Sequence, residues 1–578
     1  MAEKRLMTGD EAVARGAWEA GATVATSYPG TPATEINEHM AQFKEVDTEW
    51  SINEKVALEV AIGASFAGAR ALVSMKQVGV NVAADPLFSL VYAGVNAGLV
   101  IITADEPGLH SSQNEQDNRF YAKFAEIPML EPSDAQEAKD MTALAFEMSE
   151  SYDTPVFVRL TTRICHTKSI VELGRRKEAP PRPYVKNIAK YTLVPSHAYQ
   201  RHFELEKRQI RLEALANTFD GNRIEMRSLE FGVVTSGISY QNVREALPDF
   251  SVLKIAMTYP VPHQMIRNFA SRVKYLYVVE ENRPFLEEEI RALGIPVEGK
   301  EQLLRVGELL PDMLRRRILH VAGAQKPAVA DLPARPPQFC PGCGHRGVFH
   351  LLKKHRLIVN GDIGCYGLAA LPPYDSVDNL VCMGASVGMD HGFNKVPGMA
   401  GKTVAVIGDS TFLHSGMTNL ANLVYNRGHS TTIILDNHVT AMTGHQPNPV
   451  TGTGLDGQKA KQLDLAQVCR ALGVENVRAV DAVDYEGLER AILEEVARSA
   501  PSVIVVQERC IMVDKRRTGP PYVVTEECKF CQKCLQLGCP AITVEDKQAK
   551  ILGSFCEGCG LCTRVCALGA IVQTEVRA

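Results

Sequence analysis

No stretch of this sequence approaches the ~18 uninterrupted apolar residues of a membrane-spanning helix, which argues against an integral membrane protein and predicts no membrane partner. There is also no apolar signal core followed by a small-residue cleavage site. MAEKRLMTGDEAV reads straight into an amphipathic helix, so a cytoplasmic location is expected. Neither charge sign dominates: 62 Lys and Arg face 67 Asp and Glu, a formal net charge of −5 that predicts no nucleic-acid partner. Hydrophobic residues at 45% and charged residues at 22% describe an ordinary globular protein. At 578 residues the chain exceeds what one core supports, and roughly three to five domains are expected.

What is present is a rhythm of short apolar runs alternating with helical stretches, the mark of parallel sheets flanked by helices. TVATSYP, ARALVSMK, GLVIITAD and TPVFVRLT read as strands of a first α/β domain at 1–172. Residues 173–228, rich in Arg, Lys and Pro and then strongly helical, read as a connector packed over the surface. FGVVTSG, VLKIAMTYP and VKYLYVVEE place a second α/β domain at 229–325, and a Pro/Ala-rich linker follows at 326–338. TVAVIGD, STTIILDN and PSVIVVQE are buried strands of a third α/β domain at 339–514. The remaining 515–578 are short, cysteine-dense and nearly symmetrical. The expected class is therefore α/β, several parallel-sheet sandwich domains with a small α+β domain at the end.

Fifteen cysteines in a large chain without a secretory signal argue for metal ligation rather than a disulfide scaffold, because most sit in tight CxxC runs. Cys528, Cys531, Cys534 and Cys539 form C-x2-C-x2-C-x4-C-P, and Cys556, Cys559, Cys562 and Cys566 form C-x2-C-x2-C-x3-C. The tail resembles bacterial two-cluster ferredoxins. A CxxCxxC turn supplies three thiolates to a 4Fe–4S cluster and the other run supplies the fourth. One cluster is thus assigned to Cys528, Cys531, Cys534 and Cys566, the other to Cys539, Cys556, Cys559 and Cys562. Two departures are visible: one extra residue precedes Cys539, and Ala567 stands where ferredoxins carry Pro. The alternative, a pair of structural zinc knuckles, also uses CxxC.

In the third domain one apolar strand runs into Gly408-Asp409-Ser410 and another into Asp436-Asn437. This pair resembles the thiamine diphosphate motif, in which Mg²⁺ takes an Asp carboxylate, an Asn carbonyl and a backbone carbonyl two residues on. The resemblance assigns these to Asp409, Asn437 and Val439, lets Gly408 bring the backbone to the diphosphate, and turns N–H groups near Ser410 toward it. An ordinary Gly-Asp turn after a strand is the competing reading. In the first domain, INEKVALEVAIGASFAGARALVS resembles the helix of pyruvate:ferredoxin oxidoreductases whose first Glu hydrogen-bonds the aminopyrimidine. That assigns the role to Glu54, with Glu59 on the same helix as the competitor.

Upstream stand Cys340-Pro341-Gly342-Cys343-Gly344-His345 and then GDIGCYG with Cys365. In 2-oxoacid:ferredoxin oxidoreductases such cysteines, with one late in the same domain, hold a cluster beside the thiamine. Cys510 fits the last place, against the alternatives of a zinc site or core thiols. Cys165, Cys382 and Cys469 read as buried small hydrophobes.

The order SYPGTPATEI, NEK helix, CPGCGH, GDS and ferredoxin tail resembles the alpha subunits of indolepyruvate:ferredoxin oxidoreductases, within the thiamine diphosphate-dependent 2-oxoacid:ferredoxin oxidoreductase family. The resemblance makes 1–172 the thiamine pyrimidine domain, 229–325 a transketolase C-terminal-like domain and 339–514 the thiamine diphosphate/Mg²⁺ domain. It implies oxidative decarboxylation of aryl 2-oxoacids such as indolepyruvate, with coenzyme A capturing the acyl group. Electrons would leave through three 4Fe–4S clusters to an external ferredoxin. Thr31, in the SYPGTP loop, becomes a substrate contact or else a turn-capping residue, and His345 a contact to the reacting centre or else a structural histidine. No segment is left for the family's γ-type domain, so a smaller beta subunit carrying it and an (αβ)2 assembly are expected. The rivals are another 2-oxoacid oxidoreductase of this family, a non-oxidative thiamine-dependent decarboxylase, and an electron-transfer scaffold.

Overall fold

Runs of Val, Ile and Leu without alternation form strands only where both faces are covered. In the first part of the chain Ala71–Lys76, Leu99–Asp105 and Val156–Thr161 are such strands, buried at every position. Each fully buried Val, Leu or Ile there contributes about 1.5–3 kcal/mol relative to exposure. In this computed structural model, residues 3–320, 336–514 and 519–574 are described. Most of the expected linker, 326–335, lies outside them, as do the expected domain edges at 325 and 515. The chain divides into two units, Met1–Asp331 and Leu332–Ala578.

The first unit contains a seven-stranded sheet in the order Met257–Tyr259, Met129–Leu130, Val156–Thr161, Leu99–Asp105, Ala71–Lys76, Val24–Ser27, Asp47–Trp50. All neighbours are parallel except the first pair. A four-stranded sheet follows: Tyr275–Val279, Phe231–Ser236, Ser251–Ile255 and Arg223–Glu225, the last antiparallel. The run VLKIAMTYP, expected as one strand, is two. Ser251–Ile255 belongs to the smaller sheet, whereas Met257–Tyr259 crosses to the edge of the larger one. The connector is carried by the helix Pro195–Ala216, which starts with Pro at its first position and docks through Leu205, Arg208 and Leu212.

In the second unit five parallel strands run Ile358–Asn360, Thr403–Gly408, Thr431–Asp436, Ser502–Gln507, Asn476–Asp481. Ligands of such sheets bind beyond the carboxyl ends of the strands, and there lie Asp362, Asp409, Asn437 and Glu508. The tail consists of Tyr522–Val524 paired with Ile571–Gln573 and the hairpin Ile542–Glu545 with Gln548–Ile551, with cysteine loops between. Among the described residues no helix is long and apolar enough to cross a membrane.

Candidate active site and cysteine-lined cavities

Gly408 pairs with Leu435 in adjacent parallel strands, so Asp409 and Asp436-Asn437 leave the sheet side by side. Both acids are buried. Burial, and then the neighbouring Asp436 carboxylate, push Asp409 up to about 7. Its Oδ1 accepts from the Ser410 N–H (2.6 Å), while Oδ2 has no hydrogen-bond partner, and neither does Asp436 Oδ1. Oxygens orphaned next to one another in the interior fit a cation. His438 takes a left-handed φ of 60° between Asn437 and Val439, and the Val439 N–H donates to Asn437 Oδ1 (3.2 Å).

The Ser410 N–H, expected to face the diphosphate, donates to the neighbouring Asp409 Oδ1. Gly408 has an ordinary φ of −80°, and a Cβ there would come within 2.8 Å of the Tyr366 ring, so the backbone at this position has no room for a side chain.

Twelve cysteines converge in three groups. Cys340, Cys343, Cys365 and Cys510 line one cavity together with His345, Asp436, Asn437 and Glu508. The Cys510 N–H donates to the Asn437 carbonyl (3.1 Å), tying the last of the four to the Asp409–Asn437 edge. Cys539, Cys556, Cys559 and Cys562 line a second cavity, and Cys528, Cys531, Cys534 and Cys566 a third. All are free thiols. Burial pushes Cys343 up to about 11 and Cys365 and Cys562 to about 12, so a cation bound at these sulfurs would have to displace their protons. Of the cysteines expected to be core residues, Cys165 and Cys469 are buried, but Cys382 is exposed: it stands in an irregular segment before the helix Ala385–Phe393 rather than on a strand.

His345 opens the helix His345–Lys354, and its Nδ1 lies 3.1 Å from Cys343 Sγ. Burial pushes it down to about 4, so the ring is neutral at ordinary pH. Glu508, which no sequence motif singles out, approaches so closely that a Cβ on Gly344 would meet its Oε2 at 1.5 Å. Burial raises Glu508 to about 7. Arg346 was missed as well. Buried, it donates to the carbonyls of Cys340 (2.9 Å) and Leu537 (2.9 Å), lashing the first cysteine loop to the segment before Cys539.

In the first unit Glu54 is the first residue of the helix Glu54–Ala67, capped by the Asn53 side chain accepting from the Val56 N–H (2.9 Å). It is 4% exposed, and a Cβ on Gly79 would meet its Cγ at 2.7 Å. Glu59 is instead at the surface, ion-paired with Lys55. Half-buried Thr31 lies in the turn before the helix Thr34–Met40. Lys76, also missed, ends its strand beneath that turn: its Cβ is 3.1 Å from where a Gly30 Cβ would be. Its Nζ donates to Ser111 O (2.9 Å) and lies 3.3 Å from Glu106 Oε2. The available signal was a charged residue closing an otherwise apolar strand.

Residues 15–212 match the thiamine diphosphate-binding family model of pyruvate flavodoxin/ferredoxin oxidoreductases, and residues 362–506 that of the C-terminal TPP-binding domain of thiamine pyrophosphate enzymes. Indolepyruvate oxidoreductase subunit IorA of Archaeoglobus fulgidus is 38% identical over 98% of this chain and 97% of its own length. The subunit of the same name from Pyrococcus horikoshii is 38% identical over 99% and 97%. The chain belongs to the indolepyruvate oxidoreductase IorA family. A 2-oxoglutarate synthase subunit KorA of Archaeoglobus fulgidus is a more distant relative, 26% identical over 50% of this chain and 91% of its own. The IorA-family chain is thus an oxidoreductase of 2-oxoacids that uses thiamine diphosphate and works as one subunit of a larger enzyme. Thr31 and Glu54 fall within the first matched span and Cys365, Asp409 and Asn437 within the second; Cys340, Cys343, Cys510 and the tail cysteines lie outside both.

Proposed function

We propose that this chain oxidatively decarboxylates an aryl 2-oxoacid, indolepyruvate being the reference substrate, to the aryl-acetyl-CoA and CO2, sending the electrons through three 4Fe–4S clusters to ferredoxin. The observation that carries the reading is the division of twelve thiols into three sets of four, one of them joined to the Asp409–Asn437 edge. A non-oxidative decarboxylase has no use for that arrangement, and an electron-transfer scaffold has none for an intact Glu54, Asp409 and Asn437.

Thiamine diphosphate supplies the electron sink that lets a 2-oxoacid lose CO2. Asp409, the Asn437 side chain and the Val439 carbonyl are the residues to hold Mg²⁺, because their edge leaves two buried carboxylate oxygens unmatched. Glu54 would accept the aminopyrimidine hydrogen bond in a site that keeps water away, and Thr31 would donate to the substrate carboxylate. The His345 ring would hydrogen-bond Cys343 Sγ, acting on a cluster ligand rather than on the substrate.

The three sets have an order. Gly342 and Arg346 of the first cysteine loop also line the Cys539, Cys556, Cys559 and Cys562 cavity, whereas neither lines the Cys528 cavity. Electrons would therefore pass from the Cys340 set to the Cys539 set and leave from the Cys528 set. Two electrons depart per turnover and each cluster carries one, which gives a chain of centres its purpose. We assign a smaller beta subunit with the γ-type domain, an (αβ)2 assembly, and a cytoplasmic setting where thiols stay reduced.

Anaerobic purification with iron, sulfide and thiamine analysis tests the cofactors: about twelve iron atoms and one thiamine per chain are expected. Zinc without thiamine would refute the reading. Turnover of the reconstituted complex with aromatic and aliphatic 2-oxoacids, using a viologen acceptor, tests the substrate. A preference for pyruvate overturns the aryl assignment.

A further inference from the structure

Asp10 is the second residue of the helix Gly9–Glu19 and is 1% exposed, yet neither carboxylate oxygen has a hydrogen-bond partner. It is not the helix cap, since Thr8 and Glu11 already form a capping box there. Glu35, from the helix Thr34–Met40, brings a second carboxylate whose buried Oε2 likewise lacks a partner. His166 ends the helix Thr162–His166, and its Nε2 lies 3.9 Å from that Glu35 oxygen. One ligand atom from each of the three lies within 4.8 Å of the other two.

The buried Asp10 carboxylate, facing that of Glu35 with only the Cys165 thiol as a neighbouring donor, is costly on two counts: lost solvation and mutual repulsion. A divalent cation removes both costs at once. We propose that Asp10, Glu35 and His166 form a binding site for one first-row divalent cation of borderline softness, zinc being the best match. Two carboxylates and an imidazole suit zinc, whereas magnesium and calcium ask for a larger, all-oxygen shell. Bonds of about 2.0–2.2 Å to a common tetrahedral ion put the ligand atoms roughly 3.4 Å apart. The half-exposed side chains of Glu35 and His166 are free to close that gap, and they leave an entrance and room for a water ligand. None of the three belongs to the cysteine or Asp409 sites. The ion would tie together three helices, one of which starts three residues after Thr31, and so would hold the turn that carries Thr31.

The test is metal analysis of the anaerobically purified holoenzyme, grown with added zinc, for zinc, manganese, cobalt and nickel beside iron. About one such ion per chain is expected in the wild type and less than about a fifth of that in His166→Ala, with iron and thiamine unchanged. Because Asp10→Asn touches the interior, the half-exposed Glu35→Gln serves as the second variant and should lose the ion to the same extent. Anomalous scattering at the zinc edge from wild-type crystals should give a peak between the three side chains. Equal zinc in wild type and both variants, or crystals soaked in zinc with no peak there, would overturn the proposal.

Discussion

Two clusters of buried charge in this molecule differ in where their counter-charges come from. In the first unit Arg119 donates to both oxygens of Asp117 and to Glu280 (2.6 Å), Arg159 to Asp105 (2.7 Å), and Lys300 to the Glu280 carbonyl, all in the interior. The Arg119–Glu280 contact joins the segment after one strand of the seven-stranded sheet to the segment after one strand of the four-stranded sheet, and the others brace it from either side. In the second unit Asp409 and Asp436 are as deeply buried. Among the described residues, however, neither pairs with Lys or Arg, and one oxygen of each is unsatisfied. The chain supplies arginines and a lysine to the first cluster itself, which makes it a joint even though Asp105 Oδ1 is left without a hydrogen-bond partner; it offers the second cluster no such cation, which suits that cluster to bind one. Burial of charge alone does not tell the two apart, whereas the inventory of partners does.

The contrast breaks most visibly at the cysteines. Cys365→Ser should remove about four iron atoms per chain and lower viologen-linked turnover more than about 100-fold, because electrons lose their first exit. Iron assays and electron paramagnetic resonance check this, and full iron content would mean that the four thiols lining the cavity with Asn437 hold no cluster. At the joint, Arg119→Met leaves Asp117 and Glu280 buried without their cation and should cost about 3–5 kcal/mol of stability. Cofactor content per folded chain should not change. Calorimetry combined with iron and thiamine analysis separates the two readouts, and cofactor loss without destabilisation would reverse the roles assigned to the clusters.

Asp409→Asn comes next. It keeps the shape and removes the charge that the empty side of the pair offers a cation, so Mg²⁺-dependent thiamine diphosphate binding should weaken by about 100-fold with little loss of stability. Titration calorimetry on the thiamine-depleted enzyme measures it. A large destabilisation with unchanged affinity would place Asp409 among the structural acids.

How visible each cluster was in the sequence follows from the same difference. The cysteine sets were legible, because CxxCxxC spacing is local and its fourth partner is constrained by the other run; so were Asp409 and Asn437, each at the end of an apolar strand. The joint was not, since Arg119 meets Glu280 161 residues away and no periodicity marks either residue. The strands TVAVIGD and STTIILDN could be read from their apolar runs, but Asn476–Asp481, partly exposed along an edge, lacked such a run. VLKIAMTYP looked like one strand because apolar residues continue through it, while its division between two sheets is set by tertiary pairing. Glu59 and Glu54 were indistinguishable by composition; only the approach of Gly79 to Glu54 and the exposed Lys55 partner of Glu59 separate them.

The joint itself is not fully balanced, and that imbalance yields the smallest effect. Arg119, Arg159 and Lys300 face five carboxyls, those of Asp105, Asp117, Glu131, Glu280 and Glu281. Glu281 has no guanidinium on its side chain; its Oε1 accepts only the Leu309 N–H (3.1 Å), and burial pushes it up to about 7 from 4.5. A carboxyl whose folded pKa is raised stabilises the fold when protonated. That contribution is complete below about 4.5 and disappears as pH rises through about 7. Asp105, raised to about 6 mainly by burial, slopes the same way, while Lys300, lowered to about 8, titrates above the window. The melting temperature of the first unit should therefore fall by roughly 2–4 °C per kcal/mol lost between pH 5 and 8, with about 2 kcal/mol at stake. Glu281→Gln, neutral at every pH and able to keep the Leu309 contact, should remove most of that slope and leave the part due to Asp105. A wild-type melting temperature that is flat or rising over this range would mean that all five acids are ionised and neutralised from elsewhere, and the first cluster would then be no more self-sufficient than the second.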